Sequence, residues 1–236
     1  MKRKLIYLII ALCFLSMGAI AAIIKVMPAN AGPPGMNLIV GSGGAPADGG
    51  PYSCTDATAD SITETDSNEQ NVGGMTGREW MSTPYTVGGS DITVCSFEFP
   101  NTNASPADTA RIERGTYTGA ITIHMEIWTN NAAGCGGKDC PGSLIANGAS
   151  NTLSVQTDIP TSSDGTNVSF AWSTPNYPTL SASTKYWFVL RTSGDVANYI
   201  YWGATDVGAC AYWYSGNGAD WTEHGNAYCG TFIMKE

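Results

Sequence analysis

The stretch LSASTKYWFVLRTSGDVANYIYW, residues 180–202, decides the fold class of this chain. Residues 185–190 concentrate aromatic and β-branched side chains between Ser, Thr and Gly, a composition typical of a β-strand bounded by turns. Residues 199–202 have a similar composition, and Ser193-Gly194-Asp195 in the connection favours a reversal of direction. The stretch therefore predicts a β-hairpin at the centre of an all-β protein, with Trp187 and Trp202 in the core.

The clearest alternation of apolar and polar residues, at residues 121–128, predicts how a sheet presents its two faces. Ile121, Ile123, Met125 and Ile127 alternate with Thr122, His124, Glu126 and Trp128. A period of two is typical of an antiparallel sheet with one face on the core and the other towards solvent. We therefore expect His124 and Glu126 to share an exposed face as a solvated pair.

Further short strands are predicted at residues 92–99, 153–155, 168–172 and 232–234, with turn residues between them. No convincing helical pattern follows the first 31 residues. Strands at this spacing predict an antiparallel two-sheet sandwich, which we place at residues 71–236.

The charge of the chain argues against one class of partner. The formal net charge is -9, and charged residues make up only 13% of the sequence. Four of the 11 basic residues precede Ala31 and none of the 20 acidic residues does, so the rest of the chain is more acidic than the whole. Because an acidic surface repels phosphate backbones, we expect no nucleic-acid partner.

Residues 1–31 predict a secretory signal peptide. Lys2, Arg3 and Lys4 precede an almost wholly apolar run at residues 5–24, and Ala29-Asn30-Ala31 has the small-x-small pattern of a signal-peptidase site. The apolar run is also long enough to remain as an uncleaved membrane anchor. The protein is therefore expected to be secreted or held at the cell surface, with membrane contact only through this segment during export.

Six cysteines follow the signal, and an even number in an exported protein predicts disulfides. They are Cys54, Cys95, Cys135, Cys140, Cys210 and Cys229. Six cysteines allow fifteen connectivities, of which proximity in sequence favours Cys54–Cys95, Cys135–Cys140 and Cys210–Cys229. The second pair would pinch a loop at residues 130–142. A zinc site at that pair is the alternative, but it lacks a second close pair and a nearby His.

Residues 32–70 form a Gly/Pro-rich and then acidic N-terminal segment. Asn37, Leu38, Ile39 and Val40 are β-prone and flanked by flexible residues, which favours either an edge strand of the same domain, the tail of the export signal, or a strand donated to a neighbouring subunit. The acidic stretch is expected to be a solvated loop, with structural calcium as the alternative and no other cofactor. Its acidic residues are Asp56, Asp60, Glu64, Asp66 and Glu69.

The segment after residue 202 is the most aromatic part of the chain and supplies the candidate ligand-binding residues. These are Tyr212, Trp213, Tyr214, Asn217, Asp220 and Trp221. Sugars place their C–H faces on aromatic rings while amide and carboxylate groups bind their hydroxyls. The alternative interpretation is that these rings pack in the core or across strands.

Several motifs between residues 92 and 235 together resemble the choice-of-anchor type of jelly-roll module of bacterial secreted and surface proteins. They are a strand with Phe97 and Phe99, the run 119–128, PGSLIA at 141–146, Trp172 before a loop, residues 180–190, Tyr201-Trp202-Gly203, YSGNGADW at 214–221 and Phe232. The resemblance implies a jelly-roll sandwich related in shape to galactose-binding and carbohydrate-binding domains, usually an accessory part and not an enzyme, and in this chain we expect disulfides to staple it. The six cysteines and residues 130–140 depart from that pattern.

These observations favour a secreted, non-catalytic adhesion or binding module that recognises a polysaccharide or cell-surface glycan through exposed aromatic residues. The alternative is a structural subunit of an extracellular filament or matrix that assembles from copies of itself by strand donation. The sequence has no nucleophile elbow, phosphate loop or metal-binding His pair, so we expect no enzyme. A glycosidase-like carboxylate pair, for example Glu126 with Asp158, is the catalytic alternative.

Overall fold

The computed structural model describes residues 54–55, 57–63, 68–101, 110–115, 119–161, 165–194, 198–206, 210–224 and 228–236. The predicted signal at residues 1–31 and the predicted donor strand at residues 37–40 lie outside these ranges. Within the described residues no helix has the length and apolar character needed to span a bilayer.

The described residues form antiparallel β-sheets with almost no helix, which confirms the all-β prediction. The strands are β1 (Thr58–Ile62), β2 (Asn68–Gly73), β3 (Trp80–Thr86), β4 (Ile92–Thr93), β5 (Ser96–Phe99), β6 (Ile112–Arg114), β7 (Thr122–Cys135), β8 (Lys138–Ala149), β9 (Leu153–Ser154), β10 (Val168–Ala171), β11 (Thr179–Leu180), β12 (Lys185–Thr192), β13 (Tyr199–Thr205), β14 (Trp213–Ser215), β15 (Thr222–Glu223), β16 (Cys229–Gly230) and β17 (Phe232–Lys235). One short helix, α1, spans Val155–Asp158.

Helix α1 corrects one predicted strand. The strand expected at residues 153–155 ends at Ser154, and the chain turns there into α1. The carboxylate of Asp158 accepts a hydrogen bond from the Ser154 backbone N–H at 2.8 Å, which satisfies a donor at the start of the turn. Val155 is fully buried, so the apolar residue that suggested a strand still serves the core.

Four sheets organise these strands. A seven-stranded sheet has the order β15-β14-β3-β12-β7-β8, with β9 also paired to β7. A four-stranded sheet has the order β1-β17-β5-β10, and a second one joins β16, β6 and β2 to β13. Strands β4 and β11 form a separate pair. Every one of these pairings is antiparallel.

The predicted hairpin of residues 185–190 with residues 199–202 is wrong, although both segments are strands. Strand β12 pairs with β3 along one edge and with β7 along the other, each over seven residues. Both edges of β12 are therefore occupied. Strand β13 instead belongs to the four-stranded sheet that also contains β2, β6 and β16. The chain thus leaves one sheet after Thr192 and enters another at Tyr199.

Strand β12 supplies the centre of the main core. The ring of Phe188 lies 4.6 Å from that of Phe97 on β5 and 4.9 Å from that of Phe232 on β17. It therefore joins the seven-stranded sheet to the four-stranded sheet that contains β5 and β17. It also stacks on Tyr85 of β3 at 5.0 Å. Trp202 is 1% exposed in the same core, as expected. Burial of such rings contributes several kcal/mol each, about 3–5 kcal/mol by truncation to Ala.

The sheets begin earlier in the chain than the boundary predicted at residue 71. Strand β1 pairs with the last strand, β17, and β2 pairs with β13 from Asn68 to Gly73. The acidic stretch is therefore not simply a solvated loop. Asp60, for example, accepts a hydrogen bond from the Tyr85 hydroxyl at 2.7 Å, and burial together with this carboxylate raises the pKa of Tyr85.

The segment expected to be a loop at residues 130–142 is instead the end of a long hairpin. Strand β7 continues to Cys135, and β8 starts at Lys138. Gly136 and Gly137, both with positive φ (64° and 87°), form the reversal, which a glycine adopts without steric cost. Bulges between β7 and β8 interrupt their register at several places.

Three disulfides join the pairs that proximity in sequence favours. They are Cys54–Cys95, Cys135–Cys140 and Cys210–Cys229. The first ties the segment before β1 to residues just before β5, and the second closes the tip of the β7–β8 hairpin. The third connects the start of the aromatic segment to β16.

Candidate functional site

A second apolar core covers the outer face of the seven-stranded sheet, the face that the alternation predicts to be exposed. We call Trp80, Trp128, Trp187, Trp213 and Trp221 the tryptophan cluster. Trp187 is 1% exposed and Trp213 is 4% exposed, with Val189 and Cys140 fully buried beside them. The prediction that Trp187 is buried is confirmed, but it packs here and not between the sheets.

Three rings of the tryptophan cluster meet edge to face. The ring centroids of Trp80 and Trp128 are 5.7 Å apart, those of Trp128 and Trp221 are 5.9 Å apart, and those of Trp80 and Trp221 are 6.5 Å apart. All three pairs have interplanar angles near a right angle, the arrangement that the ring quadrupoles favour. These residues come from β3, β7 and the segment before β15, so the cluster joins three separate parts of the chain.

The tip of the β7–β8 hairpin is fastened to this face by polar contacts. The indole N–H of Trp187 donates to Asn130 Oδ1 at 2.8 Å. Lys185 forms an ion pair with Asp139 at 2.9 Å, which lowers the pKa of that carboxyl. Lys138 pairs with Glu223 of β15, so the tip also reaches the opposite edge of the sheet.

Glu126 lies buried beside the tryptophan cluster, which corrects the expectation of a solvated His124–Glu126 pair. Its side chain is 4% exposed, and its oxygens contact His124 Nε2 at 2.7 Å, Trp128 Nε1 at 2.8 Å and Arg191 at 3.3 Å. Burial raises the pKa of the Glu126 carboxyl, but the hydrogen bonds from His124 and Trp128, the charge of His124 and the bond from Arg191 outweigh it. The pKa is held below its usual value.

Arg191 connects this buried carboxylate to a cleft of about 360 Å³. Its guanidinium lies 4.2 Å from the centre of the Trp80 ring, a cation–π contact. We call this the arginine cleft; its lining is Glu79, Trp80, Thr122, His124, Arg191, Thr192, Ser193, Gly194 and Gly216.

A neighbouring cleft of about 470 Å³ shares Glu79 and Gly216 with the arginine cleft. We call it the tyrosine cleft; its lining is Thr76, Gly77, Glu79, Tyr214, Gly216, Asn217, Asp220 and Thr222. A Cβ at residue 216 would come within 2.9 Å of the Gly77 backbone and 3.0 Å of Glu79 Oε2. The absence of a side chain there therefore keeps room for the Glu79 carboxylate between the two clefts.

Glu79 carries the most informative unsatisfied group of the two clefts. Its Oε2 atom is buried and has no hydrogen-bond partner within the part of the chain that the structure describes. A buried carboxylate oxygen without a donor is costly, by about 1–3 kcal/mol or more. A ligand hydroxyl that donates to this oxygen would remove that cost.

Asn217 organises the loop that forms one wall of the tyrosine cleft. Its Oδ1 accepts hydrogen bonds from the backbone N–H groups of Ala219 at 2.8 Å and Asp220 at 2.9 Å, and its Nδ2 donates to the Asp220 carboxylate at 2.9 Å. This is an Asx-turn, which the residue pattern Asn-Gly-x-Asp favours. Asn217 therefore holds Asp220 in place as well as lining the cleft.

The structure separates the sequence-predicted ligand residues into two groups. Tyr212 is 2% exposed, stacks on His224 at 4.5 Å and donates from its hydroxyl to Gln70 Oε1; burial raises its pKa. Trp213 and Trp221 pack in the tryptophan cluster. Tyr214, Asn217 and Asp220 line the tyrosine cleft.

Sequence reasoning missed the β3 and β12 residues of the site. The sequence analysis assigns no element to residues 79–85, yet Glu79 lines both clefts and Trp80 lines the arginine cleft. The strand predicted at residues 185–190 stops one residue before Arg191, which is the seventh residue of β12. The available signal was the alternation of Trp187, Val189 and Arg191, which places all three on one face of the strand.

The described residues contain no group of three or more His, Cys, Asp or Glu side chains that could hold a metal ion. Of the acidic residues on which the calcium alternative rests, Asp56, Glu64 and Asp66 lie outside the described ranges, as does the side chain of Glu69.

No model of a known protein family, no curated protein and no solved structure matches this chain. The resemblance to choice-of-anchor modules therefore stays a prediction from the motifs.

Proposed function

We propose that this protein is a secreted, non-catalytic binding module that recognises a polysaccharide or cell-surface glycan through the arginine and tyrosine clefts. The proposed scaffold is an antiparallel jelly-roll sandwich, in which the seven-stranded sheet carries the site on its outer face. The observation that carries the proposal is Glu79, whose unpaired Oε2 lies where the two clefts meet.

The lining chemistry of the clefts supports a hydroxyl-rich ligand. Trp80 and Tyr214 provide rings, while Glu79, Asp220 and Arg191 provide acceptors and donors within the same two clefts. An arginine already contacts each ring in a cation–π interaction. Arg191 lies 4.2 Å from the Trp80 ring centre, and Arg78 lies 4.7 Å from the Tyr214 ring centre. A sugar would therefore meet ring edges together with guanidinium and carboxylate groups, which hydrogen-bond its hydroxyls.

A non-catalytic role fits the engagement of the acidic groups near the site. Glu126 is held by His124, Trp128 and Arg191. The pairing of Glu126 with Asp158 considered for a glycosidase joins a buried carboxylate to an exposed one that caps α1. Secretion fits the three disulfides, which form and persist in oxidising compartments.

The test is retention on insoluble cellulose, chitin, xylan, β-1,3-glucan and peptidoglycan. We expect the protein to be retained on at least one of them. Glu79→Gln should weaken binding about tenfold or more, because it replaces a charged acceptor with a neutral amide of similar size. Tyr214→Ala should weaken binding by a similar factor.

Tyr201→Ala is the matched control, because it removes a half-buried tyrosine from β13 in a different sheet. It should leave retention unchanged. Retention on none of these polymers, or retention that is equal for Glu79→Gln, Tyr214→Ala and the wild type, would overturn the proposal.

A further inference from the structure

A third cleft, of about 570 Å³, lies at the β8 edge of the seven-stranded sheet, where the last part of β8 approaches the end of β10. We call it the amide groove. Its lining includes Leu144, Ile145, Asn147, Trp172, Ser173 and Asn176. It shares no lining residue with the arginine or tyrosine cleft.

The lining of the amide groove is uncharged. Every side chain that the structure places there is aliphatic, aromatic, amide or hydroxyl, and no Asp, Glu, Lys, Arg or His is among these described lining residues. This differs from the arginine and tyrosine clefts, which between them present Glu79, Asp220, His124 and Arg191. A charged ligand would lose its hydration on entering this groove and would find no opposite charge there to offset that cost. The lining therefore favours a neutral ligand.

Two side chains at the groove are already committed to the fold. Asn151 Oδ1 accepts a hydrogen bond from the Ala171 backbone N–H at 2.8 Å, which joins the end of β10 to the segment after β8. Ser150 Oγ accepts from Met125 N–H at 3.0 Å and donates to the Asn151 carbonyl at 2.8 Å. These bonds fix the distance between the two walls, so the groove is preformed.

Other polar groups of the groove are free to bind a ligand. The side chains of Asn147, Ser173 and Asn176 are exposed and form no hydrogen bond with described residues. Trp172 is 7% exposed, and its indole N–H is buried without an acceptor among the described residues. Such an unpaired donor costs about 1–3 kcal/mol, which a ligand oxygen would recover.

The apolar part of the groove offers contact surface beside these polar groups. Leu144 is 45% exposed, one of two large apolar side chains with this degree of exposure in the described part of the chain. It lies with the half-buried Ile145 and the Trp172 indole in one lining. Apolar surface combined with amide and hydroxyl groups is the chemistry that binds the C–H faces and hydroxyls of a sugar.

We propose that the amide groove is a second, independent binding site for an uncharged oligosaccharide, so that the module contacts a polymer at two places. Its volume lies within the range of small-ligand sites, about 300–1,000 Å³. A protein interface would instead be a broad surface and not a cleft of this size. The formal charge of -9 further disfavours anionic glycans at a groove that has no cation of its own. Two sites on one rigid domain raise affinity for a polymer well above that for a short oligosaccharide.

The test is titration of the 15N-labelled protein with neutral hexasaccharides of β-1,4-glucose, β-1,4-xylose and β-1,3-glucose, followed by NMR. We expect at least one of them to shift the indole signal of Trp172 and the side-chain amide signals of Asn147 and Asn176 in a saturable way. Trp172→Phe assigns the indole signal. Asn176→Ala and Leu144→Ala, both exposed and therefore compatible with folding, should each weaken this binding about tenfold.

Two controls separate this site from the one at Glu79. Glu79→Gln should leave the shifts in the amide groove unchanged, and hexagalacturonate, an anionic hexasaccharide, should not produce them. The proposal is overturned if no neutral hexasaccharide shifts these signals, if hexagalacturonate shifts them equally, or if Asn176→Ala and Leu144→Ala bind as the wild type does. Shifts confined to Tyr214 and its neighbours would overturn it while supporting the site at Glu79.

Discussion

The outer face of β12 should be as important for stability as its inner face, and Trp187→Ala tests this. Trp187 is 1% exposed, and a buried tryptophan removes about 150–250 Å² from water. At about 25 cal/mol per Å² this corresponds to roughly 4–6 kcal/mol as an upper bound, and measured truncations of buried aromatic residues cost about 3–5 kcal/mol. Loss of the hydrogen bond to Asn130 adds to this cost.

The measurement is equilibrium unfolding in urea, with the free energy of unfolding taken from the midpoint at an unchanged slope. We expect Trp187→Ala to lose about 3–5 kcal/mol. Leu144→Ala is the matched control, because Leu144 pairs with Trp128 on the same face of the sheet but is 45% exposed. It should lose less than about 1 kcal/mol. A loss for Trp187→Ala as small as that of the control would refute the second core.

Two further predictions concern the surroundings of the site. The folded pKa of Glu126 is depressed, so its contribution to stability is present above the ordinary glutamate pKa of about 4.3 and is lost as the pH falls through the lower folded value. The difference in thermal midpoint between wild type and Glu126→Gln should therefore narrow below about pH 4, and a constant difference from pH 7 to pH 3 would contradict this. Gly218 has φ of 72°, and a Cβ there would lie 2.6 Å from the Trp80 ring, whereas Gly77, with φ of 83°, has open space. Gly218→Ala should destabilise the fold by about 1–3 kcal/mol more than Gly77→Ala in urea unfolding, and equal losses would show that Trp80 moves aside freely.

The two candidate sites share a structural cause. A strand such as β7 presents one face to the main core and the other to the tryptophan cluster, so both faces of the seven-stranded sheet are packed over much of its area. The three clefts described above lie where this packing stops, at Glu79 beside Gly216 and at Leu144 beside Trp172. Binding chemistry is therefore expected at the margins of the cluster, where Trp80 lines the arginine cleft.

Local sequence predicted which segments are extended and which of their residues face the main core. The residues at 121, 123, 125 and 127 are all buried there, and residues 185–190 and 232–234 lie in strands, because alternation specifies two faces without any knowledge of neighbours. The disulfide pairs also follow from proximity along the chain. The sequence could not separate the candidate ligand residues into packed and cleft-lining groups, since composition does not distinguish a packed Trp213 from a cleft-lining Tyr214.

By itself, the sequence of residues 180–202 determined two strands and the burial of Trp187 and Trp202. The tertiary structure decided that these strands belong to different sheets, because β3 and β7 occupy both edges of β12. It also decided that the outer face is covered, since Trp187 lies in one cluster with Trp80, Trp128, Trp213 and Trp221, which are far from it along the chain. A pattern of period two states that a strand has two faces, but what lies against each face depends on side chains that only folding brings together.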